Sequence, residues 1–219
     1  MAGYRIWPFK DIFPENTSSE TVSEEETPDY EQYLAIGFSR EQIDRMLTTI
    51  EEQKDILKSH PESFSPYLKI SNIYVILEEY QKAEEFLLEV IEIGPTFAPA
   101  YASLGELYGS FMNKKVEAVE SYKKAIELTP WRSEYYHSLA DLYRSNFPEK
   151  EKEIESMFLS GVEQYPRTIG FYTYLASYFW QKNDLTKAIH YTKTAIKIEP
   201  DNEILKQELA ELERKVYGQ

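Results

Sequence analysis

The sequence predicts an all-α fold, a solenoid of helical pairs stacked one on the next. Three observations carry that reading. Pro61, Pro95, Pro130, Pro166 and Pro200 follow one another at steps of 34, 35, 36 and 34 residues, a period typical of helical repeat arrays. Aromatic residues keep the same beat: Tyr67, Tyr101, Tyr136 and Tyr172, each followed seven residues later by Tyr74, Tyr108, Tyr143 or Phe179. Between them stand an aliphatic and a small residue, Ile70-Ser71, Leu104-Gly105, Leu139-Ala140 and Leu175-Ala176, and late in each unit comes Val90, Ala125, Gly161 or Ala195. These spacings fall on one face of a helix, so each unit reads as two amphipathic helices, A and B. Small residues let the two approach, and the aromatics fill the space beside them.

Residues 1–27 divide in two. Tyr4, Ile6, Trp7, Phe9, Ile12 and Phe13 form an aromatic stretch broken by Pro8 and Pro14. Glu15 to Thr27 is Ser, Thr and Glu with almost no apolar content, the composition of a disordered linker. Residues 28–61 read as an N-terminal capping element. Thr27-Pro28 opens a short helix running to Ala35, with Pro at its first position, and Gly37 ends it. Ser39-Arg40-Glu41-Gln42 is a capping-box pattern. Ile43, Met46, Leu47, Ile50 and Leu57 then make one stripe on a helix of roughly twenty residues.

Four units follow, 64–95, 98–130, 133–166 and 169–200. The middle two are one and two residues longer than the outer two. Tyr74 to Ala83 is nine residues, Tyr108 to Ala118 ten, Tyr143 to Ile154 eleven and Phe179 to Ala188 nine. The insertions are expected in the turns near Asn113-Lys114 and Phe147-Pro148, because a turn tolerates an extra residue better than a packed helix. Ile154 stands where the other units have Ala, which predicts looser or shifted packing in the third unit. Residues 201–219 read as a C-terminal capping helix with the stripe Leu205, Leu209, Leu212 and Val216. Its charged outer face is what a terminal repeat needs.

This pattern resembles the tetratricopeptide repeat (TPR) family. That family places an aromatic at position 4, Leu at 7, Gly or Ala at 8, Tyr at 11, Ala at 20 and 27, and Pro at 32. Segment 64–95 matches with Tyr67, Ile70, Ser71, Tyr74, Ala83, Val90 and Pro95, and segment 169–200 with Tyr172, Leu175, Ala176, Phe179, Ala188, Ala195 and Pro200. The resemblance implies a right-handed superhelical solenoid of four units, capped at both ends, whose A helices line a concave groove. The groove residues it implies are Leu68, Lys69 and Asn72 in the first unit, Ser103 and Glu106 in the second, His137, Asp141 and Arg144 in the third, and Tyr174, Ser177 and Trp180 in the fourth. Tyr174 and Trp180 are the expected anchors, since exposed large aromatics are enriched at binding hot spots. The family's grip on a chaperone's C-terminal carboxylate needs Lys, Asn and Arg. Here only Asn72 stands at such a position, beside Leu68, Ser103, Glu134 and Ser138, so that mode is not expected.

Composition narrows the partner. The net charge is −14, which argues against sequence-independent nucleic-acid binding. Glu106, Glu134 and Asp141 in the groove favour a neutral, apolar or basic protein segment. There is no cysteine among the 219 residues, so thiolate and disulfide chemistry are excluded. No apolar run approaches the ~18 residues of a membrane span, and the first ten residues lack a secretory core, so a cytoplasmic location is expected. The chain has no HExxH and no phosphate-cradling Gly-rich loop. His137 and Asp141, one turn apart, are the one pair resembling a catalytic or metal constellation, and a surface pair is its ordinary reading. No cofactor, metal or enzymatic activity is expected. The aromatic stretch with Ile6, Trp7, Phe9, Ile12 and Phe13 reads as a docking motif for a partner or for the protein's own groove. A membrane-surface anchor using Arg5 and Lys10 is the weaker alternative, because Pro8 breaks the helix it needs. The functional expectation is an adaptor, scaffold or assembly chaperone. The alternative is a structural subunit of a larger complex, docking through its convex face and tail, with homo-oligomerisation left open.

Overall fold

A computed structural model describes residues 30–218. The aromatic stretch and the linker expected in 1–27 lie outside the described residues. The chain divides into two compact units, one ending at Pro61 and one starting at Glu62. Every element among the described residues is helical.

The first unit holds α1 (Tyr30–Ala35) and α2 (Arg40–Ser59). Gly37 turns the chain between them at φ +103°, a conformation that favours glycine because no Cβ is in the way. Ser39 caps α2 as its sequence predicts. Its Oγ accepts from the Gln42 amide at 3.3 Å, and the Gln42 side-chain oxygen accepts from the Ser39 amide at 2.8 Å. Ile43 and Ile50 of the predicted stripe are buried, and Tyr33 is buried in α1.

The second unit is a run of helical pairs. They are α3 (Phe64–Ile76) with α4 (Tyr80–Ile93), α5 (Ala98–Glu106) with α6 (Lys115–Leu128), α7 (Ser133–Asn146) with α8 (Glu151–Gln164), and α9 (Ile169–Gln181) with α10 (Leu185–Ile198). A last helix, α11 (Glu203–Tyr217), packs on α10 and is capped by the Asn202 side chain. The periodic residues form the core. Ile70, Leu104, Ala125, Ala140, Leu175 and Ala195 are all buried.

The two periodic markers are bonded to each other. Tyr101, Tyr136 and Tyr172 each donate a hydroxyl to the carbonyl of Pro95, Pro130 and Pro166, every time at 3.0 Å. Each proline ends a helix B and leaves a carbonyl at the joint without a helical partner. The tyrosine of the next helix A supplies one, a contact worth about 1 kcal/mol net. That bond ties the period of the prolines to the period of the tyrosines.

The inserted residues are absorbed in two ways, one of them unexpected. In the first and fourth units the turn closes through a residue in the left-handed region, Glu78 and Asn183 at φ 60°. The amides of Glu79 and Asp184 then reach back to the Tyr74 and Phe179 carbonyls at 2.8 Å. The second unit keeps the same turn at Asn113, φ 54°, but the returning bond runs from Lys114 to Tyr108 at 2.9 Å, one residue further. The extra residue therefore does not sit at Asn113-Lys114. It widens the end of helix A into a π-helical turn, Leu107–Phe111, with the Met112 amide on the Leu107 carbonyl at 3.0 Å. A one-residue insertion is what a π turn holds, five residues per hydrogen-bonded loop instead of four. In the third unit the insertion is where the sequence places it, as a 3₁₀ turn over Pro148–Lys150.

The third pair also packs differently. Ile154 is fully buried, and α7 and α8 pack less closely than the other pairs do. Gly161 repays part of this on its other side. A Cβ there would lie 2.5 Å from the Phe171 ring, so only glycine lets α9 approach α8 this closely.

Candidate functional site

The A helices α3, α5, α7 and α9 carry the predicted groove residues, and α11 follows them in the series. Repeats two and three bring most of theirs together. A pocket of about 730 Å³ lies between α5 and α7, lined by Ser103, Glu106, Gly109, Glu134, Ser138 and Asp141 among others. The small residues Ala102, Ser103 and Gly105 of α5 open it. Tyr122, from helix B, forms its inner wall. Burial pushes the Tyr122 phenol up to about 12, and Ser138 is its hydrogen-bond partner. Gly105 makes room for that ring, since a Cβ there would meet it at 2.9 Å. The π turn contributes Gly109 and Ser110 to the rim, and the Lys115 ammonium donates to the Gly109 carbonyl. Asp141 is paired with Arg144 at 2.6 Å, so Glu106 and Glu134 against Lys115 leave the pocket acidic.

The next joint, between α7 and α9, is closed. The Tyr174 ring stacks on Phe158 with centroids 3.6 Å apart and planes 6° from parallel. His137 lies 4.9 Å from the same ring, and its Nε2 donates to the Gly170 carbonyl at 3.2 Å. Tyr174, expected as an exposed anchor, is 8 % exposed. Counting along helix A could not show that Phe158 of the preceding helix B rises to cover it. Its hydroxyl is buried without a hydrogen-bond partner. Burial pushes this phenol too up to about 12. The Arg144 guanidinium sits 5.7 Å over the ring, held by Asp141 at 2.6 Å and Gln181 at 3.2 Å.

Of the pair His137 and Asp141, the histidine turns to the Gly170 carbonyl and the aspartate to Arg144. Among the described residues no group of three or more His, Cys, Asp or Glu side chains is placed to hold a metal, and no helix is long and apolar enough to cross a membrane.

Beyond the closed joint the face opens again. A pocket of about 350 Å³ lies between α9 and α11, lined by Ser177, Trp180, Ile204, Glu208, Glu211 and Leu212 among others. Trp180 is 49 % exposed, and the Lys215 ammonium stands 4.8 Å over its ring. Sequence reasoning missed the contribution of α11 because it treated that helix only as a cap. The signal was present. Leu209-Ala210 take the aliphatic-small positions, so the same count puts Ile204, Glu208 and Glu211 on the groove face. At the other end Leu68 is half-buried and Lys69 and Asn72 are exposed, and none of the three lines either pocket.

The Tetratricopeptide repeat family profile matches residues 64–97, 98–130 and 169–202. The chain carries tetratricopeptide repeats. The TPR match leaves out 133–166, the unit with Ile154, the two-residue insertion and the loosened helix pair. No curated protein matches the sequence. Among solved structures, a crystal structure of MamA is 23 % identical, covers 70 % of this chain and 88 % of its own, and superposes with a TM-score of 0.51. A second MamA structure is 22 % identical over 84 % of this chain and 93 % of its own, TM-score 0.50. The APC/C hetero-tetramer Cut9-Hcn1 is 16 % identical over 78 % of this chain and 34 % of that one, TM-score 0.54. At these identities the likeness is one of fold, a TPR solenoid. The TPR array supports a protein–protein interaction module.

Proposed function

We propose that this TPR protein is a non-catalytic adaptor, scaffold or assembly chaperone that holds an extended partner segment along its A-helix face, with a basic residue seated between α5 and α7. The observation that carries the reading is the 730 Å³ pocket, its walls set by small side chains and by Glu106, Glu134 and Asp141. Small residues admit a peptide backbone, and the carboxylates select its charge. The overall charge of −14 speeds encounter with a basic segment through the long-range field.

Random dodecapeptides displayed on phage test this. Selection on the wild-type protein enriches Lys or Arg at one position. The double substitution Glu106→Gln/Glu134→Gln weakens the selected peptide about fivefold, the size expected for two exposed charges, and flattens its salt dependence with helicity unchanged. Enrichment of acidic peptides, or equal binding by the double variant, would sink the proposal.

A further inference from the structure

The pocket between α9 and α11 is not accounted for by a basic residue bound between α5 and α7. Its chemistry is different. Buried Ala176, Leu205 and Leu212 form part of its lining, and two large apolar side chains flank it exposed, Trp180 at 49 % and Ile204 at 69 %. Exposed apolar groups around a concave apolar floor mark a binding position more often than isolated surface hydrophobes do. The volume of about 350 Å³ is at the small end of ligand pockets and gives room for one large side chain. Glu208, Glu211 and Lys215 share the lining. Lys215 pairs with Glu211 at 3.3 Å, so the carboxylate left over is Glu208 and the net charge around the apolar floor has the same sign as in the acidic pocket. That sign disfavours an anionic lipid surface and matches a basic polypeptide.

The two pockets lie on one face and two joints apart. Adjacent packed helices are about 8–10 Å apart, so the separation is about 16–20 Å. An extended chain covers about 3.3 Å per residue, so about five or six residues bridge the pockets. The closed joint between them offers a floor rather than a wall. Phe158 and Tyr174 fill it from below, and Asp141, Arg144 and Gln181 present polar groups above, suited to backbone hydrogen bonds.

We infer that the pocket between α9 and α11 takes a large apolar side chain of the same partner segment, about five or six residues from the basic residue held between α5 and α7. The partner class is therefore a basic–apolar bipartite segment bound in extended form. The inference rests on the acidic-pocket reading above, and the test separates the two.

The phage-displayed dodecapeptides are selected on wild type and on two variants that act only at the second pocket. Ser177→Trp fills it from an exposed position on α9, and Ile204→Ser removes its exposed rim. If one of these does not fold, the other still reports. On wild type the enriched peptides carry Leu, Ile, Met, Phe or Trp five or six residues from the Lys or Arg. Replacing that apolar residue with Ser weakens the synthetic peptide tenfold or more on wild type, the scale of burying one large apolar side chain. On Ser177→Trp or Ile204→Ser the same replacement changes affinity less than threefold, while the basic position stays enriched. A basic consensus with no apolar position at fixed spacing, or an apolar preference untouched by both variants, overturns this inference and leaves the acidic pocket standing. No enriched peptide at all overturns both.

Discussion

Two joints of this array use the same two side-chain slots to opposite effect. One slot lies on helix B, three residues before the small residue, and holds Tyr122 in one joint and Phe158 in the next. The other lies on the following helix A, one residue before the aliphatic, and holds Ser138 and Tyr174. Tyr122 facing Ser138 leaves a pocket of about 730 Å³. Phe158 facing Tyr174 gives stacked rings 3.6 Å apart and no opening. A third joint repeats the lesson, because Thr192 and Glu208 occupy the same slots and a pocket of about 350 Å³ remains. The repeat period builds the slots. The volume of two side chains decides whether a slot stays open as a pocket or is filled.

The sharpest way to break that comparison is Phe158→Ala. Phe158 is fully buried and touches Tyr136, Phe171 and His137 as well as Tyr174. Loss of a buried phenylalanine costs about 3–5 kcal/mol, read as a shift in the urea midpoint. A cost below about 1 kcal/mol would mean that the joint collapses around the change and that the stack does not keep it closed.

Tyr174→Phe sharpens the same point from the other ring. The hydroxyl it removes is buried and lacks a partner, and a buried polar group without a hydrogen bond opposes folding. The variant should match wild type or gain up to about 1 kcal/mol in urea unfolding, with the stack intact. A clear loss of stability would show that the hydroxyl is satisfied, and that the joint is held by more than ring packing.

The array and its helices were legible because period, aromatic spacing and small residues all follow from one packing geometry. The bonding of Tyr101 to Pro95 shows why two of those signals run in step. The state of each joint was not legible from helix A alone. Ser138 and Tyr174 can be placed on the groove face by counting. What covers them depends on a helix B residue sixteen positions earlier, Tyr122 or Phe158, whose slot had not been paired with theirs. The π turn was hidden for a different reason. Spacing between Tyr108 and Ala118 shows that one residue is extra, but a helix end and a turn can both hold it. The hydrogen bond from Lys114 to Tyr108 decides between them.

The smallest effect belongs to His137, which edges the closed joint and is absent from the lining of the open one. Burial among the rings is the largest influence on it and lowers its pKa, while the Gly170 carbonyl, Asp141 and Glu134 pull the other way and Arg144 adds to the lowering. The folded protein therefore prefers the neutral ring more than the unfolded chain does, whose histidine titrates near 6.5. Above that value both states hold it neutral and its contribution is complete. As the pH falls below about 6.5 the unfolded chain takes up the proton first, so stability drops with falling pH down to the depressed folded pKa. Urea midpoints at pH 7.5 and about 5.5 should therefore fall further in wild type than in His137→Gln, which cannot titrate but keeps a donor for Gly170. The same change in both proteins would mean that the ring is solvated in either state, and that the closed joint ends at Tyr174 rather than at His137.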